Sequence, residues 1–217
     1  LEVEPEYVDR TVVRSLDDPI QPVGGLVSLF GSLAPKGAIL KRSAADPKLF
    51  ETEGRAVVFS SLEDLSLRID DPALEVEEND ILILQNAGPK SDAAMPEAGY
   101  LPIPKKLARA GVKDMVRISD ARMSGTAYGT IVLHVTPEAA VGGPLAIVKN
   151  GDRIKISVKN RSLDLLISEE EMQNRLKKLH IKSPPKYHRG YKKLYYDTVL
   201  QADGGCDFDF LRDPSLL

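Results

Sequence analysis

The apolar positions of this chain fall into short runs separated by turn-forming residues. Residues 23–30 and 38–40 read as two strands joined by the turn Gly-Ser-Leu-Ala-Pro-Lys-Gly. Runs at 56–59, 81–84 and 115–118 are apolar enough for buried strands, and 130–135 and 145–148 read as two more. Asn150-Gly151 is the strongest hairpin signal in the chain. Residues 153–158 then alternate apolar and charged, as a strand with one wet face does, and 162–167 pairs with it as the next strand.

Helix starts are marked twice by capping-box spacing, Ser60 with Glu63 and Ser168 with Glu171, the second opening a charged helix to about residue 180. A short basic helix over 102–110 stops at Gly111. Pro184-Pro185 breaks the chain, and a last helix over 190–202 stops at Gly204-Gly205. Many short strands with a few peripheral helices predict a mainly β, α+β fold built as a closed or nearly closed β-barrel. Residues 1–22, with Pro5, Pro19 and Pro22 and no periodicity, read as a linker or lead-in, and 23–217 as one barrel domain.

Composition narrows the function classes. The chain has 217 residues, 42% of them hydrophobic, which is enough for a sizeable core. A net charge of -3 with interspersed signs argues against nucleic acid, and no apolar run is long enough for a membrane span. Cys206 is the single cysteine; it excludes an internal disulfide and fits a reducing, cytoplasmic compartment. The chain starts without Met and is expected to be a piece of a longer one.

Two loops rich in Gly, Ala, Ser and Pro carry the candidate chemistry, each beginning where a buried strand stops. The first offers Glu97, just after Pro96; the second offers Ser124 between Met123 and Gly125, with Asp120, Arg122 and Thr126 nearby. Each has a plain alternative. Ser124 and Thr126 suit tight turns, and Glu97 suits the first turn of a helix. Asp120 and Arg122 suit an ion pair that fixes the loop, and Lys90 suits a solvated loop lysine. His134 reads as a satisfied strand residue, His180 and His188 as exposed, and Cys206 as a small packed side chain. No zinc-ligand spacing, phosphate loop or nucleophile elbow is present.

These loops, Asn-Ala-Gly-Pro-Lys, Met-Pro-Glu-Ala-Gly and Ser-Asp-Ala-Arg-Met-Ser-Gly-Thr-Ala-Tyr-Gly, resemble the C-terminal region of the dihydroxy-acid and sugar-acid dehydratases. So do Gly-Ser-Leu-Ala-Pro-Lys-Gly-Ala at 31–38 and His-Val-Thr-Pro-Glu-Ala-Ala-Val-Gly-Gly-Pro from 134 onward. The resemblance runs from about residue 25 to the C-terminus. It implies a barrel similar to the swivelling domain of aconitase-type hydratases, and a hydro-lyase that turns a 2,3-dihydroxy acid into a 2-oxo-3-deoxy acid.

By the same resemblance, Ser124 is the base and Glu97 a magnesium ligand; on residue chemistry alone, Thr126 is read as a substrate contact or as orienting Ser124, and Arg122 as a fork for a substrate carboxylate. A serine alkoxide needs strong positive charge beside it, expected from outside this chain. The family's iron–sulfur cluster and most magnesium ligands lie in an N-terminal domain absent here, so this chain alone should hold neither and should be inactive. The form Ala-Arg-Met-Ser-Gly-Thr-Ala-Tyr-Gly is similar to the sugar-acid branch rather than to the branched-chain amino-acid branch. The resemblance further implies a dimer or tetramer when full length. The alternatives are a dihydroxy-acid dehydratase of branched-chain amino-acid biosynthesis and a non-catalytic swivelling or binding subunit of a two-chain hydratase.

Overall fold

The computed structural model describes residues 9–96, 101–122, 124–125, 128–181 and 187–212. Eight strands make one mixed sheet: β1 (Val27–Leu29), β2 (Gly37–Leu40), β3 (Glu51–Phe59), β4 (Ile81–Leu84), β5 (Arg117–Ser119), β6 (Ile131–Thr136), β7 (Arg153–Ser157) and β8 (Ser162–Leu165). Their order is β1-β2-β6-β5-β4-β3-β7-β8. The inner four, β3 to β6, run parallel, while the flanking pairs are antiparallel.

The outermost strands almost meet. Phe30, one residue past β1, bridges Ser162 of β8; its N–H donates to the Arg161 carbonyl (2.9 Å) and its carbonyl accepts from Leu163 N–H (2.8 Å). Gly31 completes this seam at φ +147, where any Cβ would collide with the Leu163 carbonyl. The sheet is therefore a nearly closed barrel, as the strand pattern predicts.

The barrel interior takes side chains from all eight strands, among them Leu29, Leu40, Val58, Ile81, Ile83, Ile118, Val132, Ile156 and Leu163. A second apolar layer lies on the outer face of the parallel strands. Phe59, Leu82, Leu84, Met115 and Leu133 pack there with Leu65 and Ile69, which belong to helix α1 (Leu62–Arg68) and its C-cap, and with Leu107 of α2 (Lys105–Arg109). This double burial explains why β4 reads Ile-Leu-Ile-Leu with no polar position.

The alternation changes phase at His134. Val132 and Val135 both face the interior, three positions apart, because His134 adopts φ +57 and the β2–β6 register shifts beside it. His134 is thus the extra residue of a bulge, half-buried in the strand where it was expected.

Several boundaries differ from the expectations, each for a physical reason. β3 starts at Glu51 rather than 56, because Glu51–Arg55 pair with β7 while 56–59 pair with β4. The polar Glu-Thr-Glu-Gly-Arg start hid the first half. β5 lies two residues beyond its expected start. Helix α1 is capped by Ser61, which accepts from Asp64 N–H (3.2 Å), one residue later than the Ser60–Glu63 reading.

Residues 145–148 are not a strand. Pro144–Ile147 form a 3-10 turn, since Pro144 supplies no ladder N–H and its fixed φ starts a helical turn; Leu145 and Ile147 are buried all the same. Asn150-Gly151 consequently joins no hairpin. It docks on β3 instead, Asn150 Oδ1 accepting from Val58 N–H (2.6 Å) and Gly151 N–H donating to the Ala56 carbonyl (2.9 Å).

The second capping box holds, with Ser168 accepting from Glu171 N–H at the start of α3 (Glu169–Lys178). Helix α4 (Gly190–Thr198) ends earlier than expected, at a bridge between Val199 and Phe208. Pro184-Pro185 lies outside the described residues.

One buried ion pair supports the base of the parallel sheet. Asp114 and Arg117 side chains are each 8% exposed and meet at 3.1 Å. Asp114 also accepts from Thr130 N–H (2.8 Å) and Oγ1 (2.7 Å) and from Met115 N–H (2.8 Å). Asp114→Ala would leave the guanidinium uncompensated, so the expected loss is about 3–5 kcal/mol. Urea unfolding of the chain measures it; a loss below about 1 kcal/mol, the level of an exposed pair, would contradict this role.

Candidate functional site

Three segments leave the barrel at one end, because β4, β5 and β6 are parallel neighbours: Leu84 pairs with Ser119, and Ile118 with Val132. They open the glutamate loop (from Asn86), the serine loop (from Asp120) and the turn Thr136-Pro137-Glu138-Ala139. Asp120 holds all three together. Its side chain accepts from Ala87 N–H at 2.8 Å and from Ala139 N–H at 2.8 Å, and it is 1% exposed. Burial pushes the Asp120 carboxyl up to about 7, the two N–H donors pull it down, and the nearby Glu138 charge adds to the rise. Asp120 therefore fixes the loops through backbone N–H groups rather than through the expected pair with Arg122.

Glu138 is a second buried acid, 1% exposed and also raised by burial. Its Oε1 accepts from Lys90 N–H (2.8 Å) and Gln201 Nε2 (2.6 Å), and its Oε2 has no hydrogen-bond partner among the described residues.

The far ends of both loops are held by the buried Arg117. Its Nη1 donates to the Leu101 carbonyl (3.2 Å), where the glutamate loop returns. Its Nη2 donates to the Tyr128 carbonyl (3.1 Å), where the serine loop returns. Between these anchors the loops touch directly: Arg122 N–H donates to the Pro96 carbonyl at 3.2 Å. That bond places the backbone two residues before Ser124 against the residue preceding Glu97.

Of the four expected site residues, Arg122 and Ser124 are described; Glu97 and Thr126 lie outside the described residues. Arg122 is exposed and Ser124 half-buried. Two neighbours were not anticipated. Lys41, just past β2, donates from Nζ to the Gly125 carbonyl, so a cation stands beside the serine loop. The His134 bulge lies against the same loop, its N–H donating to the Ala121 carbonyl (3.0 Å). Burial, with Arg122 adding to it, pushes the His134 imidazole below its ordinary value.

Among the described residues no group of three or more His, Cys, Asp or Glu is placed to hold an ion. An iron–sulfur cluster typically needs about four cysteines, and the chain has one. One cysteine is too few for a cluster, and Glu97, the expected magnesium ligand, lies outside the described residues. A shallow cleft elsewhere, lined by Arg55, Arg68, Asp71 and Asn150, includes none of the loop residues, and its arginines are engaged by Asp80 and Asp64, each at 2.6 Å.

A nearly closed barrel whose parallel strands send a glutamate loop and a serine loop from one rim defines a domain that presents polar groups at an edge. Comparison with known proteins identifies it further: residues 11–206 match the family described as dihydroxy-acid/6-phosphogluconate dehydratase C-terminal, and the chain belongs to that family.

It is 50% identical over 212 residues to the L-arabonate dehydratase of Azospirillum brasilense, covering 95% of this chain and 36% of that protein. It is 50% identical over 207 residues to the 6-deoxy-6-sulfo-D-gluconate dehydratase of Pseudomonas putida, covering 94% and 36%. Identity to the dihydroxy-acid dehydratase of Saccharolobus islandicus strain L.S.2.15 is 42% over 201 residues, covering 93% and 35%. The chain thus spans little more than a third of the length of these relatives. No helix among the described residues is long and apolar enough to cross a membrane.

Sequence reasoning missed Asp114, Arg117, Glu138, Gln201 and Lys41. The available signal was a charged residue inside or beside an apolar run: Asp114 and Arg117 flank Met-Val, and Glu138 follows a strand and a proline.

The Asp120 shift sets a pH dependence. An ordinary carboxyl titrates near about 4, so the folded protein binds this proton more tightly than the unfolded chain does. The stability it contributes is complete below that value and is lost as pH rises through about 7. From about pH 5 to about pH 8 the urea midpoint should fall in the native chain, and fall less in Asp120→Asn. The same slope in both would show that Asp120 does not titrate in that window.

Proposed function

We propose that this chain is the C-terminal barrel of a cytoplasmic hydro-lyase that dehydrates a sugar acid, a 2,3-dihydroxy acid of the aldonate type, to a 2-oxo-3-deoxy acid. The observation that carries the reading is the Arg122–Pro96 backbone bond. It brings the approach to Ser124 against the approach to Glu97, and both loops are clamped at each end by buried charges. Such clamping is what a reaction needs in order to keep its groups in near-attack geometry. Sugar-acid substrates are favoured over branched-chain precursors because the sugar-acid relatives are 50% identical and the dihydroxy-acid relative 42%.

In this reading Ser124 takes the proton from C2 of the substrate. The C3 hydroxyl leaves as water once protonated, and the resulting enol tautomerises to the 2-oxo acid. Lys41 and Arg122 place positive charge along the serine loop, which favours the anionic form of its hydroxyl. Arg122, exposed at the rim, and Thr126 contact the substrate, the former through its bidentate fork. Glu97 is the carboxylate this chain offers to a divalent cation, expected to be Mg2+. The iron–sulfur cluster, the other metal ligands and the N-terminal domain that carries them belong to the length of the relatives that this chain does not span. With Glu97 as one ligand, a bound cation would supply Lewis acidity to the substrate, and a cluster held by the missing length would add to it. Residues 1–22 are the lead-in from that domain, 23–217 the barrel domain, and the whole enzyme a dimer or tetramer.

Replacing Ser124 by Ala in the full-length gene product should lower kcat on an aldonic acid by about 10²- to 10⁴-fold, the range for losing a catalytic base. Lys41→Met should lower it less and move the alkaline side of the rate profile, with Lys41→Arg near native. Retention of full activity by Ser124→Ala would leave the non-catalytic swivelling subunit as the better account.

A further inference from the structure

Residues 196–206, from α4 onward, lie against the glutamate loop, and the contacts between them are mostly polar and partly buried. Gln201 makes a two-point amide contact with one residue. Its Oε1 accepts from Glu138 N–H (3.0 Å), and its Nε2 donates to Glu138 Oε1 (2.6 Å). Glu138 Oε1 also accepts from Lys90 N–H (2.8 Å), inside the loop. Five residues back in the chain, Tyr196 of α4 donates its hydroxyl to the Ser91 carbonyl (3.0 Å). Five residues on, Cys206 Sγ lies 3.3 Å from Met95 Sδ, two positions before Glu97. Gly88 is held against the Glu138 carboxylate so closely that a Cβ there would collide with it.

The loop needs such holding. Asn86, Ala94 and Met95 all adopt positive φ without being glycine, a conformation that persists only when surrounding contacts impose it. Within the loop, Gly88 supplies a carbonyl to Ser91 N–H (3.2 Å), Ser91 Oγ (2.7 Å) and Met95 N–H (3.1 Å), so the loop is one hydrogen-bonded unit that moves or stays as a whole. The C-terminal segment is itself stiffened by Val199 bridging Phe208, and by Phe208 against Tyr195 with rings 6.2 Å apart.

We propose that Gln201 is a positioning residue. Through Glu138, and together with Tyr196, it latches the C-terminal segment onto the 86–96 loop and so fixes that loop against the backbone of the serine loop at Arg122. The catalytic part of this inference rests on the function proposed above; the latch itself does not.

The test measures the two parts separately. In the 217-residue chain, Gln201→Ala and the double variant Gln201→Ala/Tyr196→Phe should speed amide hydrogen exchange across residues 88–95 by about tenfold or more, with the barrel strands unchanged. In the full-length gene product the same variants should lower kcat about tenfold with KM for the aldonic acid nearly constant. Glu138→Gln, which keeps an acceptor for Lys90 N–H and for Gln201, should stay near native on both measurements, while Glu138→Ala should not.

Unchanged exchange in the loop overturns the latch. Faster exchange throughout the barrel also overturns it, by showing a general structural role. Faster loop exchange with kcat unaltered overturns the positioning role. Failure of the functional reading is recognised independently, by full activity of Ser124→Ala.

Discussion

Two buried charges on and beside one three-residue strand set the geometry of everything at the rim. Arg117 opens β5 and Asp120 follows it, so the guanidinium lies at the lower end of the sheet and the carboxyl at the upper. Each charge is satisfied mainly by backbone groups of loops that arrive from elsewhere. Arg117 takes the carbonyls of Leu101 and Tyr128; Asp120 takes the N–H groups of Ala87 and Ala139. A charge removed from water is costly unless it is fully bonded, so the loops cannot leave these anchors without exposing that cost. Loop order at this rim follows from electrostatics as much as from apolar packing.

The apolar core supplies the frame in which those charges act. β4 and β6 are covered on both sides, by the barrel interior and by the layer under α1 and α2, which keeps the parallel strands in register. Register in turn places Leu84, Ser119 and the end of β6 at one edge. The bulge at His134 turns β6 just where it passes the serine loop, and it puts a polar ring and an N–H beside Ala121 without opening the interior. A strand that kept strict alternation would bury His134 in the barrel or expose Val135.

The barrel was readable because short apolar strand runs alternate with turn residues. Both loops were readable because Gly, Pro and Ser interrupt the apolar pattern at 86–96 and 120–129. The run at 145–148 misled because apolarity reports burial, and a buried 3-10 turn at Pro144–Ile147 is as apolar as a strand. The first half of β3 was hidden because, where it pairs with β7, alternate residues such as Glu51 and Glu53 point to water. The polar partners Glu138 and Gln201 lie 63 positions apart, and no local pattern announces such a pairing. Ser124 and Arg122 were singled out on motif, whereas Lys41 reaches the same loop from a strand 84 positions earlier.

The serine loop has a second duty as the link between two neighbouring parallel strands. Such links usually run through a helix and take about a dozen residues or more; here β5 ends at Ser119 and β6 begins at Ile131 with no helix described between them. The connection is already close to the shortest that can return to the bottom of the sheet. Its length is therefore close to a lower limit set by the spacing of the strands: losing a residue would strain β5 and β6 out of register, whereas an added one can bulge outward. A deletion here would therefore reach the site through the sheet, by shifting β6 against β5, before it touched any group on the loop itself.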